Sequence, residues 1–310
     1  MTEEQYLKNL SVPTEIVDAV IDTDTFNEID DQFAISYMLL SKYRINTKAI
    51  YAAPFFNSHS SSPEDGMLKS YDEILKLLHL LKKDDFSCNV YRGSRNYLEN
   101  ENTPVVSDAA KHLVSLAKNY SPKSPLYVIS IGAITNIASA LLLDASIAEN
   151  IVVVWLGGHS FEMQDTKEFN MRQDIAAARV VIGSPAPFIQ LPCEGVVSAF
   201  SISGPELERW LYNTTPIADY LARNTVREAE SYAKGKPWSR VIWDVTAVAW
   251  LMNDNNRYML SRVQNVRLPD YDGFYSNTPM EKKFRYVYNI RRDTLMRDLI
   301  STVIKDSDNK

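Results

Sequence analysis

Between residues 15 and 192 the chain alternates short, nearly unbroken apolar runs with longer stretches whose apolar side chains recur at helical spacing. "EIVDAVID" (15–22) reads as a buried strand, and "DQFAISYMLLSKY" (31–43) follows with Phe33, Ala34, Tyr37, Met38 and Leu40 on a helical repeat. The same order recurs, with strands in "TKAIYAAPF", "NVYRG", "PLYVISIG", "NIVVVWLGG" and "PFIQLP". Helices are read in "GMLKSYDEILKLLHLLKK", "DAAKHLVSLAKNY", "TNIASALLLD" and "MRQDIAAARVVIGS". Strands that are apolar throughout need cover on both faces. The alternation therefore predicts an α/β fold, a mostly parallel central sheet with helices on both sides. Beyond residue 203 the reading turns mainly helical, through "PELERWLY", "IADYLARNTVREAESYA", "DVTAVAWLM" and "TLMRDLISTVI". No repeat, low-complexity linker or Pro/Gly-rich hinge interrupts the pattern, so residues 1–310 are expected to form one domain with a helical C-terminal portion. "NSHSSSPEDG" (57–66) is the most loop-like stretch.

Charge and cysteine content narrow the partners. With 33 Lys and Arg against 39 Asp and Glu, the net charge is −6, and basic residues gather only in pairs such as Lys82-Lys83 and Arg291-Arg292. That balance argues against a nucleic-acid partner. Cys88 and Cys193 stand far apart without a CxxC, which suggests neither a disulfide framework nor a zinc cluster and fits a reducing cytoplasm. The start, "MTEEQYLKNLSVPTE", has no basic segment followed by an apolar one, so no signal peptide is read. Nothing approaches the roughly 18 uninterrupted apolar residues of a membrane-spanning helix. A soluble, cytoplasmic protein is the expectation.

"VIDTDTFNEIDDQ" (20–32) carries the candidate chemistry, because it places five acidic side chains where a strand gives way to a helix. In such sheets ligands bind at this kind of strand end. Mutually repelling carboxylates need donors, solvent or a cation to hold them together. One reading is helix capping by Asp30 or Asp31, which does not account for Asp22 and Asp24 as well. A second is a hard cation in an oxygen cage, calcium before magnesium, since His and Cys are scattered and zinc is disfavoured. A third is a phosphatase resembling the haloacid dehalogenases, with Asp22 as nucleophile. Phe26 breaks that motif, and "VVVWLGGHS" lacks the downstream acidic pair.

Four segments in order, "DTDTFNEIDD" (22–31), "ISIGAITNIA" (129–138), "EFN" (168–170) and "WDVTAVA" (243–249), together resemble the inosine-uridine-preferring nucleoside hydrolase family. The resemblance implies a Rossmann-like nucleoside hydrolase fold and calcium-dependent hydrolysis of the N-glycosidic bond of ribonucleosides, in a homodimer or homotetramer. Carried over, Asp24, Asp31, the carbonyl of Ile131 and Asp244 match the calcium ligands, with Asp24 also the base that activates a metal-bound water. Asp30, Asn57, Glu168 and Asn170 match residues that contact the sugar, while Asp22 and Asn27 are placed in support. The family's usual DxDPGxDD is departed from, because "TFNEI" makes the loop two residues longer and removes Pro-Gly.

Trp243 stands where many members carry a His thought to protonate the leaving base; purine-preferring members carry Trp there and stack it on the base. Read without the family, Trp243 is more often a core aromatic, and the neighbouring Asp244 tips it toward the site. His159, at a strand end, is a candidate substrate contact. His59 lies in the Ser-rich loop and could close over a ligand. His79 and His112 read as spectators, and Trp238 as either a lid residue or a surface shield. The alternative to turnover is a calcium-dependent nucleoside- or ribose-binding protein that has lost catalysis through the altered loop and the missing His.

Overall fold

Eight strands make one sheet in the computed structural model, which describes residues 1–305; residues 306–310 of the expected unit lie outside the described residues. Six of them are β1 (Val17–Thr23), β2 (Ile45–Ala52), β3 (Val90–Arg92), β4 (Leu126–Ser130), β5 (Ile151–Leu156) and β6 (Phe188–Leu191). They run parallel in the order β3-β2-β1-β4-β5-β6. Each was legible as an apolar run. Alternation along them splits the core in two: Ile21, Ile129, Val154 and Ile189 face one side, Val20, Val128, Val153 and Phe188 the other.

Helices cover both faces, as expected. α1 (Glu3–Asn9) precedes the sheet; α2 (Asp30–Leu40), α3 (Pro63–Leu80), α4 (Asp108–Ala117), α5 (Thr135–Leu143), α6 (Phe169–Gln173) and α7 (Ile175–Gly183) alternate with its strands. Buried residues of α4, α5 and α7 join one core, and those of α2 and α3 the other. Two details differ from the sequence reading. α3 starts inside the supposed loop, because Pro63 suits a first helical turn and the Ser62 hydroxyl accepts the Asp65 N–H. The helix read across 171–184 is two, broken at Asp174, whose carboxylate caps the second by accepting the Ala177 N–H at 2.9 Å.

The C-terminal third holds the expected helices α8 (Gly204–Trp210), α9 (Pro216–Ala233), α10 (Val245–Trp250) and α11 (Arg292–Val303). It also holds four strands that the helical reading passed over. β7 (Ser201–Ser203) and β8 (Ser239–Val241) form a small antiparallel ribbon. β10 (Lys283–Ile290) extends the main sheet parallel to β6, and β9 (Met259–Asn265) closes it as an antiparallel edge. Neither of the last two reads as a strand by period, since their pairing slips between Val287 and Asn289 and β9 is largely polar.

Strand order reverses direction between β1 and β4. At such a switch point the loops that follow the two strands diverge and leave a crevice at their C-terminal ends. Residues 24–31 leave β1 there and Ile131 leaves β4. No helix among the described residues is long and apolar enough to cross a membrane.

Candidate active site

The crevice opens into a cleft of about 190 Å³ whose floor is acidic. Asp24 lies just beyond β1, buried, and neither of its carboxylate oxygens has a hydrogen-bond partner among the described residues. Asp30 and Asp31 open α2, but neither caps it: Ile29 holds the cap position and no side chain bonds there. Asp244 precedes α10, again without a capping bond. Asp30, Asp31 and Asp244, all buried, offer oxygens that lie within 4.8 Å of one another.

Such crowding has a visible electrostatic cost. Burial, then the charges of Asp31 and Asp30, raises the Asp24 carboxyl well above the usual range. Asp30 is raised by burial and by Glu28, and Asp244 by burial and the three neighbouring aspartates. Burial pushes Asp31 up to about 7, although the Thr23 hydroxyl donates to it at 2.5 Å. Every donor in the group is a hard oxygen, and Asp24 has two free ones aimed into buried space. A divalent oxygen-seeking cation fits this set.

The remaining walls come from other strand ends. Ile131 lines the cleft, and its carbonyl accepts the Asn170 side-chain N–H at 3.1 Å. The turn after it passes so close that a Cβ on Gly132 would lie 2.9 Å from Asp24 Oδ1. Trp155 Nε1 fixes that turn by donating to the Gly132 carbonyl at 3.1 Å. Glu168, at the N-terminus of α6, is buried and accepts three backbone N–H groups, from Gly158, Asn170 and Met171. Asn170, buried beside it, also donates to the Leu156 carbonyl at 3.2 Å. Trp243 is half-buried, with one side against the core and one on the cleft. His159 also lines the cleft and accepts the Glu194 N–H at Nδ1, 3.3 Å away, so that Nε2 carries the ring N–H.

Ten of the twelve residues singled out in the sequence thus line one cleft, Asn27 included. Asn57 does not reach it; its amide donates to Asn27 Oδ1 at 2.6 Å and so acts from behind the wall. Asp22 is also outside. Its carboxylate is fully buried, takes the Asn136 amide at 2.7 Å and the Ser130 hydroxyl at 3.4 Å, and is pushed up to about 7 by burial. That leaves the phosphatase alternative without an accessible nucleophile. Trp238 is no lid: it packs against the core and lies over Gly204 at the start of α8. His59 holds the Asn27 carbonyl through Nδ1 at 2.9 Å. His112 stacks on Tyr91, and His79 is an exposed partner of Asp84.

Sequence reading missed Glu28, Leu156, Phe169, Cys193 and Glu194, which also line the cleft. Glu28 lies within the acidic run and Phe169 within "EFN"; Leu156, Cys193 and Glu194 carry no local signal. Cys193 is free and buried, and the sequence reading considers a cysteine here only for a disulfide or zinc.

Fold and site together define an α/β protein with an acidic, oxygen-lined ligand cleft at the switch point of its sheet. Residues 19–286 match the family described as inosine-uridine preferring nucleoside hydrolase, and the chain belongs to that family of nucleoside-hydrolysing enzymes. Solved structures share the fold over nearly the whole chain at low identity. A plant nucleoside hydrolase has 15% identity and a TM-score of 0.73, covering 94% of this chain and 99% of its own. An inosine-guanosine nucleoside hydrolase has 16% identity and a TM-score of 0.73, with coverage of 94% and 99%. A purine-preferring ribonucleoside hydrolase from Gardnerella vaginalis has 18% identity and a TM-score of 0.70, with coverage of 93% and 98%. No curated protein matches the chain in sequence.

Proposed function

We propose that the protein hydrolyses the N-glycosidic bond of ribonucleosides, purine nucleosides by preference, with calcium held by Asp24, Asp31, Asp244 and the Ile131 carbonyl. One observation carries the reading: the two partnerless, buried oxygens of Asp24 beside the converged Asp30, Asp31 and Asp244. Bound there, a divalent ion supplies positive charge that acidifies water and fixes hydroxyl oxygens.

The chain's own groups do the rest. Asp24 takes the proton of the attacking water on a free oxygen. Departure of the base leaves positive charge on the ribose ring, which the surrounding carboxylates favour electrostatically. Asp30, Glu168 and Asn170 bind the sugar hydroxyls and fix the anomeric carbon toward the water, with Asn57 holding Asn27 from behind. Glu168 can do so through Oε1, which accepts only the Asn170 N–H and keeps acceptor capacity, whereas Oε2 already accepts from Gly158 and Met171. Trp243 presents a flat face for stacking, which suits the larger purine ring, and His159 offers an N–H at Nε2. No side-chain acid replaces a His at 243, so solvent protonates the departing base.

Incubation of the purified protein with a panel of purine and pyrimidine nucleosides, with and without chelator, tests this. Free base and ribose are expected by chromatography, with release abolished by chelator and restored by Ca²⁺. Chelator-sensitive nucleoside binding without release would favour the binding-protein reading instead, and release unaffected by chelator would remove the cation.

A further inference from the structure

Residues 25–29 must turn the chain from β1 into α2 and deliver Asp30 and Asp31 to the cleft, with neither a Pro to fix the backbone nor a Gly to ease the turn. One half of the loop is pinned around Asn27. Its N–H donates to the Asp24 carbonyl at 2.7 Å, its carbonyl meets His59 Nδ1, and its side chain takes the Asn57 amide. The other half is held by Arg240 of β8. Arg240 Nη2 donates to Glu28 Oε2 at 2.6 Å and lies 2.9 Å from Glu228 Oε1, so one guanidinium joins the loop to β8 and α9. This side chain is only 18% exposed, and its Nε is buried without a partner among the described residues. An arrangement that leaves a donor unsatisfied is not the one stability alone would choose. Glu28 itself lines the cleft, and the charge of Arg240 reaches Asp30.

We infer that Arg240 is a positioning residue for the reaction: by clasping Glu28 to Glu228 it holds the inserted loop in the shape that keeps Asp30 and Asp31 converged with Asp244. The inference rests on the cation-dependent reading above. Two roles for Arg240 make opposite forecasts. If it mattered only as a charge, deleting a cation beside a group of carboxylates would tighten their grip on Ca²⁺. If it holds geometry, deletion lets the loop spread and Ca²⁺ binds more weakly.

Calorimetric titration of the full-length protein with CaCl₂, alongside hydrogen exchange across residues 25–29 and steady-state kinetics, decides between them. Arg240→Ala is expected to weaken Ca²⁺ binding roughly 10- to 100-fold, as loss of a partner behind a metal ligand does, and to speed exchange in the loop. Arg240→Lys, whose compact ammonium lacks the guanidinium's fork, should recover part of the loss. Glu228→Gln, which frees only the α9 anchor, should give a smaller loss of the same sign. Ca²⁺ binding by Arg240→Ala as tight as wild type or tighter overturns the clasp. Should that variant fail to fold, wild-type Ca²⁺ binding and loop exchange in both other variants overturn it equally. Wild-type protein that takes up no Ca²⁺ sinks the cation reading and this inference with it, and is distinguishable because clasp failure alone leaves wild-type binding intact.

Discussion

Asp24 combines three properties that rarely coincide in one side chain: it is buried, both oxygens lack partners, and its neighbours repel its charge. Left to stability, such a residue would be neutral. Asp24→Asn is therefore expected to keep or raise the melting temperature without divalent ions, while turnover falls about 10²- to 10⁴-fold, the usual weight of a general base. Parallel melts and single-substrate kinetics check both halves; wild-type turnover would remove Asp24 as the base. Trp243 is the corresponding test of base recognition. Stacking on an aromatic face is worth about 1–3 kcal/mol per base, and a purine offers more ring than a pyrimidine. Trp243→Ala should lower kcat/KM for inosine or guanosine more than for uridine; equal losses would mean that Trp243 packs rather than recognises. At this scale the sequence was legible where chemistry is local. Asp24, Asp30 and Asp31 follow one apolar run, so a single strand end announces them. Cys193 and Glu194 reach the same cleft from just after β6, 162 to 170 residues further on, and nothing in their neighbours gives that distance.

The Thr-Asn pair that opens α5 shows how an element positions a site it does not enter. Asn136 donates to Asp22 Oδ1 at 2.7 Å and to the Ala52 carbonyl at 3.3 Å, while its Oδ1 accepts the Ser94 N–H at 2.7 Å. One amide therefore links the C-terminal ends of β1 and β2 to the segment after β3. Thr135 donates to Asp174, the residue that breaks the following helical stretch into α6 and α7. Asn136→Ala leaves several buried polar groups unsatisfied, Asp22 among them, and is expected to cost about 2–4 kcal/mol. Urea unfolding measures this; a loss within a few tenths would show that water replaces the amide. In sequence the pair is legible only as the start of the helix "TNIASALLLD" and as part of the family-like segment "ISIGAITNIA"; which strands it joins depends on sheet order, which no local pattern encodes. β9 and β10 escaped for a different reason. A slipped register and polar edge positions erase the period of two by which strands are recognised.

At the scale of the whole molecule, the sheet was legible because its parallel strands are buried on both faces and must be apolar, while the acidic cluster stands out as the feature that burial alone disfavours. Its consequence is a stability that depends on pH and on cation together. Burial pushes Asp22 and Asp31 up to about 7 and raises Asp24, Asp30 and Asp244 as well, whereas aspartates of an unfolded chain titrate near 4. Between those limits the folded protein holds protons that the unfolded chain has released. Asp22 and Asp31 therefore contribute stability that is complete below pH ~4 and lost as pH climbs through about 7, and the other raised carboxyls act in the same direction. Melting temperature in chelator should fall from pH 5 to pH 8. Ca²⁺ competes with those protons, because carboxylate ligands must be deprotonated to bind it. At a hundredfold excess over its dissociation constant a ligand adds about 2.7 kcal/mol. The rise in melting temperature on adding CaCl₂ should accordingly be small at pH 5 and large at pH 8. A Ca²⁺-induced rise of equal size at both pH values would place the ion away from Asp24, Asp31 and Asp244, and with it the chemistry proposed for this cleft.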